Sequence, residues 1–168
     1  MKTGLFIGRF QPFHNGHYTV IRRAFNYVDE LKIAIGSAQF SKMKGNPWTY
    51  EERRKMITKT LKSSSKWKNI RIFRLNDIGD PYTWPEYVRS KVGKFDILFS
   101  GNIEGVVNCF KKANIENKPD VIFFTDTEPY HGIDIREDMY DGGIRWSNMV
   151  PPGTMEVIMK SKSHWRFV

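Results

Sequence analysis

Cysteine is almost absent from the sequence, since Cys109 is the only one among 168 residues. No disulfide can form within the chain, and one cysteine with four scattered histidines does not supply the ligand set of a zinc site. Long apolar runs are also missing, because no stretch approaches the ~20 residues of a membrane span and the run before Gly8 is too short for a signal-peptide core. We therefore expect a cytoplasmic protein that contacts no membrane.

Repeats and low-complexity tracts are absent as well. The hydrophobic fraction of 40% and the aromatic fraction of 14% are typical of a folded globule rather than a disordered chain. A length of 168 residues suits one domain, and we expect residues 1–168 to form it.

Acidic residues are scarce between Ser41 and Leu75, where eleven lysines and arginines face only Glu51 and Glu52. This stretch accounts for the whole net charge of +9, and the rest of the chain is balanced. A local positive field attracts anionic substrates or nucleic acid. The alternative is a solvated helix face on which lysine serves solubility.

Hydrophobic periodicity predicts five strands alternating with helices. The expected strands are Lys2–Ile7, Leu31–Ile35, Ile70–Leu75, Phe95–Phe99 and Val121–Phe124. The expected helices are Gly16–Val28, one that a Thr49–Glu52 capping box opens, Pro85–Val92, Ile103–Ala113, one beginning within Tyr130–Met139, and Trp146–Met159 with Pro151 and Pro152 marking a start or break. Crossovers between parallel strands are right-handed, so this order predicts an α/β fold, a Rossmann-like doubly wound parallel sheet of about five strands flanked by helices.

Residues Gly8 to His17 read G-R-F-Q-P-F-H-N-G-H and follow the apolar end of the first predicted strand. A strand that turns directly into a helix leaves free N–H groups at the helix N-terminus, and these favour a phosphate. Arg9, His14 and His17 lie on or beside the turn, while Gly16 lets a phosphate approach the backbone closely. The pattern predicts a site for nucleotide phosphates.

This segment resembles the H-x-G-H signature of the nucleotidyltransferase superfamily and is most similar to archaeal-type nicotinamide-mononucleotide (NMN) adenylyltransferases. G-S-A-Q at Gly36–Gln39, N-P-W-T-x-x-E-R at Asn46–Arg53, Trp84 and S-G-N at Ser100–Asn102 match the same family in order and spacing. The resemblance implies transfer of AMP from ATP to NMN, with NAD and pyrophosphate as products. It also implies Mg²⁺ bound with ATP, no dedicated metal cluster, and a homo-oligomer such as a hexamer.

The resemblance further implies roles for individual residues. His14 and His17 would donate to ATP phosphates, and Arg9 and Arg136 would hold the β and γ phosphates. The remaining ATP contacts would be Gly8, Phe10, Gly16, Ser100, Gly101, Asn102 and Gly132, and the NMN contacts Ser37, Gln39 and Trp84. Thr49 and Glu52 are explained by capping alone, whereas Arg53 fits either a structural or a chemical role.

The segment Tyr130–Met139 departs from the family pattern Y-S-G-T-E-x-R followed by arginines. His131 and Ile133 replace hydroxyl residues, and Glu137 and Asp138 replace cations. Gly79 and Pro81 also replace polar residues before Trp84. Two alternatives therefore remain: nucleotidyl transfer to another phosphate ester, such as phosphopantetheine, a flavin mononucleotide or a polyol phosphate, or a catalytically weakened nucleotide- or nucleic-acid-binding relative. We do not expect nucleic acid to be the partner.

Overall fold

The computed structural model describes residues 1–101, 105–113, 115–124 and 131–161. Five strands form one all-parallel sheet in the order β3-β2-β1-β4-β5. The strands are β1 (Thr3–Gly8), β2 (Glu30–Ile35), β3 (Ile70–Arg74), β4 (Ile97–Ser100) and β5 (Asp120–Phe123). Apolar residues dominate the central strands because both faces of the sheet are covered.

The helices are α1 (Asn15–Ala24), α2 (Tyr50–Leu61), α3 (Trp84–Val92), α4 (Val106–Lys112), α5 (Gly132–Tyr140), α6 (Trp146–Met149) and α7 (Pro152–Lys160). A short 3₁₀ helix, Trp67–Asn69, precedes β3. None of the described helices combines the length and apolar character needed to cross a membrane.

The two faces of the sheet have separate hydrophobic cores. Helices α1, α2, α5 and α7 pack on one face, where Phe6, Ile33 and Phe99 project from the strands. Helices α3 and α4 cover the other face, against Leu5, Ala34 and Leu98. Crossovers on both faces make the sheet doubly wound, as the sequence predicts.

The predicted elements are present, with shifted ends. Helix α1 stops at Ala24 rather than Val28, because the N–H groups of Asn26 and Tyr27 turn back to carbonyls three residues earlier. The expected helix Trp146–Met159 is two helices, and Pro151 and Pro152 lie at the break between them. The start of the expected helix Ile103–Ala113 lies outside the described residues, and α4 follows them.

Candidate functional site

Strand order reverses between β1 and β4, since β2 and β3 extend the sheet on one side and β5 on the other. The helix after β1, α1, and the helix after β4, α4, cover opposite faces of the sheet, and open α/β sheets bind ligands in the crevice at the carboxyl ends of the strands where the strand order reverses in this way. The G-R-F-Q-P-F-H-N-G-H segment begins at this edge, at Gly8.

A tight backbone turn joins β1 to α1. Phe10 adopts a left-handed conformation (φ 52°) and its buried ring packs edge-on against Phe6, with ring centroids 5.5 Å apart. A Cβ on Gly8 would lie 2.9 Å from that ring, so only glycine fits there. The side-chain amide of Gln11 exchanges hydrogen bonds with the backbone of Trp48, at 2.9 and 3.1 Å. These contacts fix the loop from which α1 starts.

His14 and His17 cap the N-terminus of α1 reciprocally. The N–H of His17 donates to Nδ1 of His14 (3.4 Å), and the N–H of His14 donates to Nδ1 of His17 (3.2 Å). The two imidazoles stack, with centroids 3.5 Å apart, and Phe10 meets the His17 ring edge-on at 4.8 Å. Each Nδ1 is therefore an acceptor, which assigns the single proton of each neutral ring to Nε2.

Both rings are neutral at pH 7. Burial, followed by the nearby His131, lowers the pKa of His14 to about 3. Burial, followed by His14, also lowers the pKa of His17 well below its ordinary value. The site thus presents two oriented Nε2–H donors that carry no full charge. The helix adds the N–H groups of its first turn, Asn15 and Gly16, which have no acceptor within the helix, and that turn contains no acidic residue.

Four arginines surround the same edge of the sheet, and no ion pair in the described part of the chain involves any of them. They are Arg9, Arg53, Arg74 and Arg136. Burial, and to a smaller extent the charges of Arg74 and Arg9, lower the pKa of Arg53 to about 10. The pKa of Arg136 is also lowered, mainly by burial and secondly by the charge of Arg9. Among the charges acting on Arg53, Asp77 is the carboxylate that opposes them. Mutually repelling guanidinium groups at a crevice favour an anionic ligand.

Helix α5 brings Arg136 to the β1–α1 turn. Its Nη1 donates to the carbonyl oxygen of Gln11 at 2.5 Å, and the side chain is only 7% exposed. Gly132 allows this approach, since a Cβ there would lie 2.9 Å from the same oxygen. Arg136 and Gly132 are thus adjacent to the turn, and their contacts with phosphate stay a prediction.

Of the two acidic residues in α5 that replace cations of the family pattern, Glu137 and Asp138, Asp138 has a structural role. Asp138 is buried and accepts from Nε of Arg145 (3.0 Å) and from the N–H of Trp146 (2.9 Å), which ties it to α6. Glu137 and Ile133 are exposed. His131 is exposed at the start of α5, and its influence on the pKa of His14 places it near the histidine pair. Tyr130 lies outside the described residues.

The two small polar residues after β2 hold the loop after β3. Ser37 Oγ donates to a carboxylate oxygen of Asp77 (2.8 Å), and the Gln39 amide exchanges hydrogen bonds with the Asp77 backbone at 2.9 and 3.0 Å. Both residues lie at the predicted edge. Their described contacts position Asp77, and their role toward NMN stays a prediction.

Trp84 begins α3 rather than lying in the loop before it. Its half-buried indole meets Phe110 of α4 edge-on at 5.9 Å. Ser100 ends β4 in a buried position and Gly101 follows it, exposed, at the crevice. The third residue of that predicted set, Asn102, lies outside the described residues.

The sequence alone assigns no role in the site to Arg74, Gln11 or Asp77. Arg74 ends β3, lies over the Tyr50 ring at 5.2 Å and donates to the carbonyl oxygen of Ala38 at 3.3 Å. Arg74 is the last residue of β3 and Asp77 lies in the loop that follows, so both are at the carboxyl ends of the strands, where open α/β sheets bind ligands, and that position is the signal that points to them. The Gln11 contact with Trp48 spans 37 residues and has no local signal.

The basic stretch from Ser41 to Leu75 does not form one surface. Arg53 is interior and Arg74 lies at the carboxyl end of β3, whereas Arg71 pairs with Glu30 near the amino ends of β3 and β2 (3.6 Å). Lys59 pairs with Glu156 of α7 at 2.9 Å. The part of the chain that the structure describes also contains no group of three histidine, cysteine or acidic side chains placed to hold a metal ion.

The chain matches known proteins over most of its length. A cytidylyltransferase-like family model matches residues 5–137. The nicotinamide-nucleotide adenylyltransferase of Thermococcus onnurineus is 37% identical over 161 residues, covering 96% of this chain and 84% of that protein. The protein of the same name from Methanoculleus marisnigri is 35% identical, with 94% and 90% covered.

Solved structures share the fold. A bifunctional NMN adenylyltransferase/ADP ribose pyrophosphatase from Francisella tularensis superposes with a TM-score of 0.70 at 24% identity, over 85% of this chain and 43% of that chain. The nicotinic acid mononucleotide adenylyltransferase of Plasmodium falciparum gives a TM-score of 0.61 at 14% identity, over 95% and 94%.

Proposed function

The chain belongs to the cytidylyltransferase-like family, and we propose that it is a nicotinamide-nucleotide adenylyltransferase that joins ATP and NMN into NAD and pyrophosphate. Relatives of that name, 35–37% identical over nearly the whole chain, support the reaction. The observation that carries the proposal is the neutral His14–His17 pair, which presents two Nε2–H donors at a helix N-terminus. The arginines beside this pair form no ion pair with a carboxylate of the described residues.

The chemistry needs no protein nucleophile. An oxygen of the NMN phosphate attacks the α-phosphorus of ATP, a new P–O bond forms, and the bond to the β-phosphate oxygen breaks as pyrophosphate leaves with the electron pair. The acceptor oxygen is already anionic at neutral pH, so no proton must be removed. The protein's task is to position two anions and to stabilise the charge that moves onto the leaving group.

We assign that task to groups at the carboxyl ends of the strands and on helices α1, α3 and α5. His14 and His17 would donate from Nε2 to phosphate oxygens, together with the first N–H groups of α1. Arg9 and Arg136 would bind the β and γ phosphates, with Gly8, Phe10, Gly16 and Gly132 shaping the backbone around them and Ser100, Gly101 and Asn102 bordering the nucleoside. Ser37, Gln39 and Trp84 would contact NMN.

Neutral histidines suit this role. A protonated imidazole would bind the triphosphate of the ground state about as strongly as the transition state, and equal binding of both states does not raise the rate. A neutral imidazole avoids the free-energy cost of burying a charge before ATP binds. The stacked rings and reciprocal caps keep both Nε2–H groups oriented without any rearrangement during reaction.

We propose that Mg²⁺ enters as the MgATP complex. Magnesium usually keeps several waters and binds through phosphates with one or two carboxylates, and the described residues offer no cluster of metal ligands. We also propose a homo-oligomeric cytoplasmic enzyme, which size-exclusion chromatography with light scattering would test.

The deciding experiment is an acceptor panel with purified protein, ATP and Mg²⁺, in which pyrophosphate release and the adenylylated product are both measured. We expect NMN to give NAD and pyrophosphate in equal amounts, well above the other acceptors. Nicotinate mononucleotide, phosphopantetheine, flavin mononucleotide and a polyol phosphate complete the panel, each repeated with CTP in place of ATP. Preference for one of these, or no turnover with any acceptor, would contradict the proposal.

A further inference from the structure

Arg53 is the most deeply buried charged side chain in the described chain, with 0% exposure. Its Nη1 donates to the carbonyl oxygens of Arg9 and Gly36, both at 2.8 Å. Nη2 reaches the carbonyl oxygen of Ser37 (3.2 Å), and Nε that of Thr49 (3.3 Å). One guanidinium thus joins the loops after β1 and β2 to the start of α2.

The two carbonyls at 2.8 Å precede two strained residues. Phe10 (φ 52°) follows Arg9, and Ser37 (φ 48°) follows Gly36, so each is a non-glycine residue in a left-handed conformation. Such conformations cost free energy and persist only where surrounding contacts enforce them. The C=O and N–H of one trans peptide point in opposite directions, so holding these carbonyls turns the N–H groups of Phe10 and Ser37 away from Arg53.

Within the described residues, the charge of Arg53 has no carboxylate partner. Asp138, another buried charge, is paired with Arg145, whereas the hydrogen bonds of Arg53 to the described residues all go to carbonyl oxygens. The charged and titratable groups that act on it are Arg74 after β3, Arg9 after β1, Asp77 in the following loop and Tyr50 in the first turn of α2. Burial of an uncompensated cation is costly, and an apolar side chain of similar length would fill the space without that cost.

We propose that Arg53 is a positioning residue for the nucleotide phosphates: its guanidinium holds the two strained turns at the carboxyl ends of β1 and β2, and its charge is compensated by the bound triphosphate. This inference rests on the proposed function and deepens it. The positive charge lies beneath the turn rather than in contact with ligand, so Arg53 acts through the backbone of Arg9 and Gly36 and through its field.

Three variants separate this role from simple packing. Arg53→Met removes the charge and keeps a long side chain, Arg53→Lys keeps the charge and loses the planar fork, and Arg54→Met is the matched control on the exposed neighbour. For each, we would measure KM and kcat with ATP and with NMN, and the rise in unfolding temperature caused by tripolyphosphate.

For Arg53→Met we expect the KM for ATP and the dissociation constant for tripolyphosphate to rise about ten-fold or more, and the KM for NMN to rise less, because the field of the buried charge and the hydrogen bonds that hold the two turns are lost. Arg54→Met should stay within about two-fold of wild type for all three constants, since exposed charges are strongly screened.

The lysine variant adds a pH profile. The ordinary pKa of lysine is about two units below that of arginine, and the same burial would lower it further. Arg53→Lys should therefore resemble wild type in its KM for ATP near pH 7 and approach Arg53→Met near pH 9. Wild type, whose Arg53 has a pKa of about 10, should change little over that interval, and the ratio of variant to wild type removes the titration of the substrates.

A purely structural role gives a different result. Both Arg53 variants would then unfold at lower temperature, but the KM for ATP, the tripolyphosphate-induced rise and the lysine pH profile would match wild type, which would overturn the proposal. If Arg53→Met does not fold, the lysine pH profile decides alone. If wild type binds tripolyphosphate but makes no NAD, the proposed function fails while the tripolyphosphate measurements still test Arg53.

Discussion

Charged groups have different partners at the two ends of the parallel strands, which we call the amino edge and the carboxyl edge of the sheet. At the amino edge, the N–H groups of Lys2 and Thr3 donate to the carboxylates of Asp29 and Asp96, both at 2.8 Å. Lys32 donates from Nζ to the carbonyl oxygens of Val92 (2.6 Å) and Lys94 (2.8 Å) at the end of α3. Charged groups at this edge are satisfied by the protein itself.

At the carboxyl edge, the arginine charges form no ion pair within the described residues. Arg9, Arg53, Arg74 and Arg136 contact carbonyl oxygens or rings where the structure describes their contacts, and Asp77 is held by Ser37 rather than by an arginine. An edge on which like charges converge is destabilising without an anion and favourable with one. The comparison indicates that the candidate site is identified by arginines without an ion-pair partner in the described residues, rather than by the total number of charged residues.

Among the variants, His17→Ala at the carboxyl edge should cause the largest loss of activity. Loss of one oriented donor at the developing charge is worth ~10²–10³ in kcat, which is about 3–4 kcal/mol of barrier. Steady-state kinetics with saturating ATP and NMN would measure it, with urea unfolding to show that the fold remains. His17→Gln, whose side-chain amide retains an N–H donor at a similar reach but lacks the rigid ring, should recover part of the loss. Near-normal turnover of the alanine variant would remove His17 from the mechanism.

Arg136→Ala should have the next largest effect, and it should separate the two substrates. Loss of a charge-assisted hydrogen bond costs ~1.5–3 kcal/mol, so the KM for ATP should rise roughly ten-fold to a hundred-fold. The KM for NMN should change much less, because we place NMN near Trp84. Separate titrations of ATP and NMN would check this, and equal losses for both substrates would show that the triphosphate has been misplaced.

Acidification should destabilise the carboxyl edge through its histidines. An unfolded histidine has a pKa near 6.5, whereas the pKa of His14 is about 3 in the fold. Between these values the unfolded state binds the proton that the folded state excludes. The stabilisation is therefore complete above pH 6.5 and is lost as the pH falls toward 3, by up to about 1.4 kcal/mol per pH unit for each histidine.

Urea unfolding between pH 6.5 and 5.0, above the ordinary range of carboxylates, would measure this slope. His14→Asn keeps a good N-cap residue but lacks the titrating ring, so its slope should be clearly smaller than that of wild type. Equal slopes for the two proteins would mean that His14 is not buried in neutral form.

Glu30→Gln at the amino edge should have the smallest effect. Glu30 meets Arg71 at 3.6 Å, and the Arg71 side chain is 68% exposed, so the pair contributes less than about 1 kcal/mol to the free energy of unfolding. Kinetic constants for ATP and NMN should equal those of wild type. A substantial change in either constant would show that charge at the amino edge also influences the site, and the contrast between the edges would fail.

Local rules explain how much of this could be predicted from the sequence. The Thr49–Glu52 capping box was predicted from its spacing and is present, with Glu52 accepting from the N–H of Thr49 at 2.8 Å. The strand-turn-helix at Gly8–His17 was predicted in the same way. Both depend on residues close together in the chain, where spacing determines geometry.

Contacts between distant segments could not be predicted. The sequence does not decide between a structural and a chemical role for Arg53, because its partners, Arg9 and Gly36, are 44 and 17 residues away. The order of the strands, which places the crevice between β1 and β4, depends on pairings that periodicity does not reveal. The pKa values of His14 and His17 follow from burial, which only the packed structure supplies.

The most direct test of the central claim is the tautomer and charge of His14 and His17, measured by ¹⁵N NMR of the imidazole rings from pH 5 to 8 with and without MgATP. We predict neutral Nε2–H rings throughout, with ring signals that shift when MgATP is added while the Lys32 signals do not. Titration of either ring with a pKa near 6.5, a proton on Nδ1, or no response to MgATP would contradict the account.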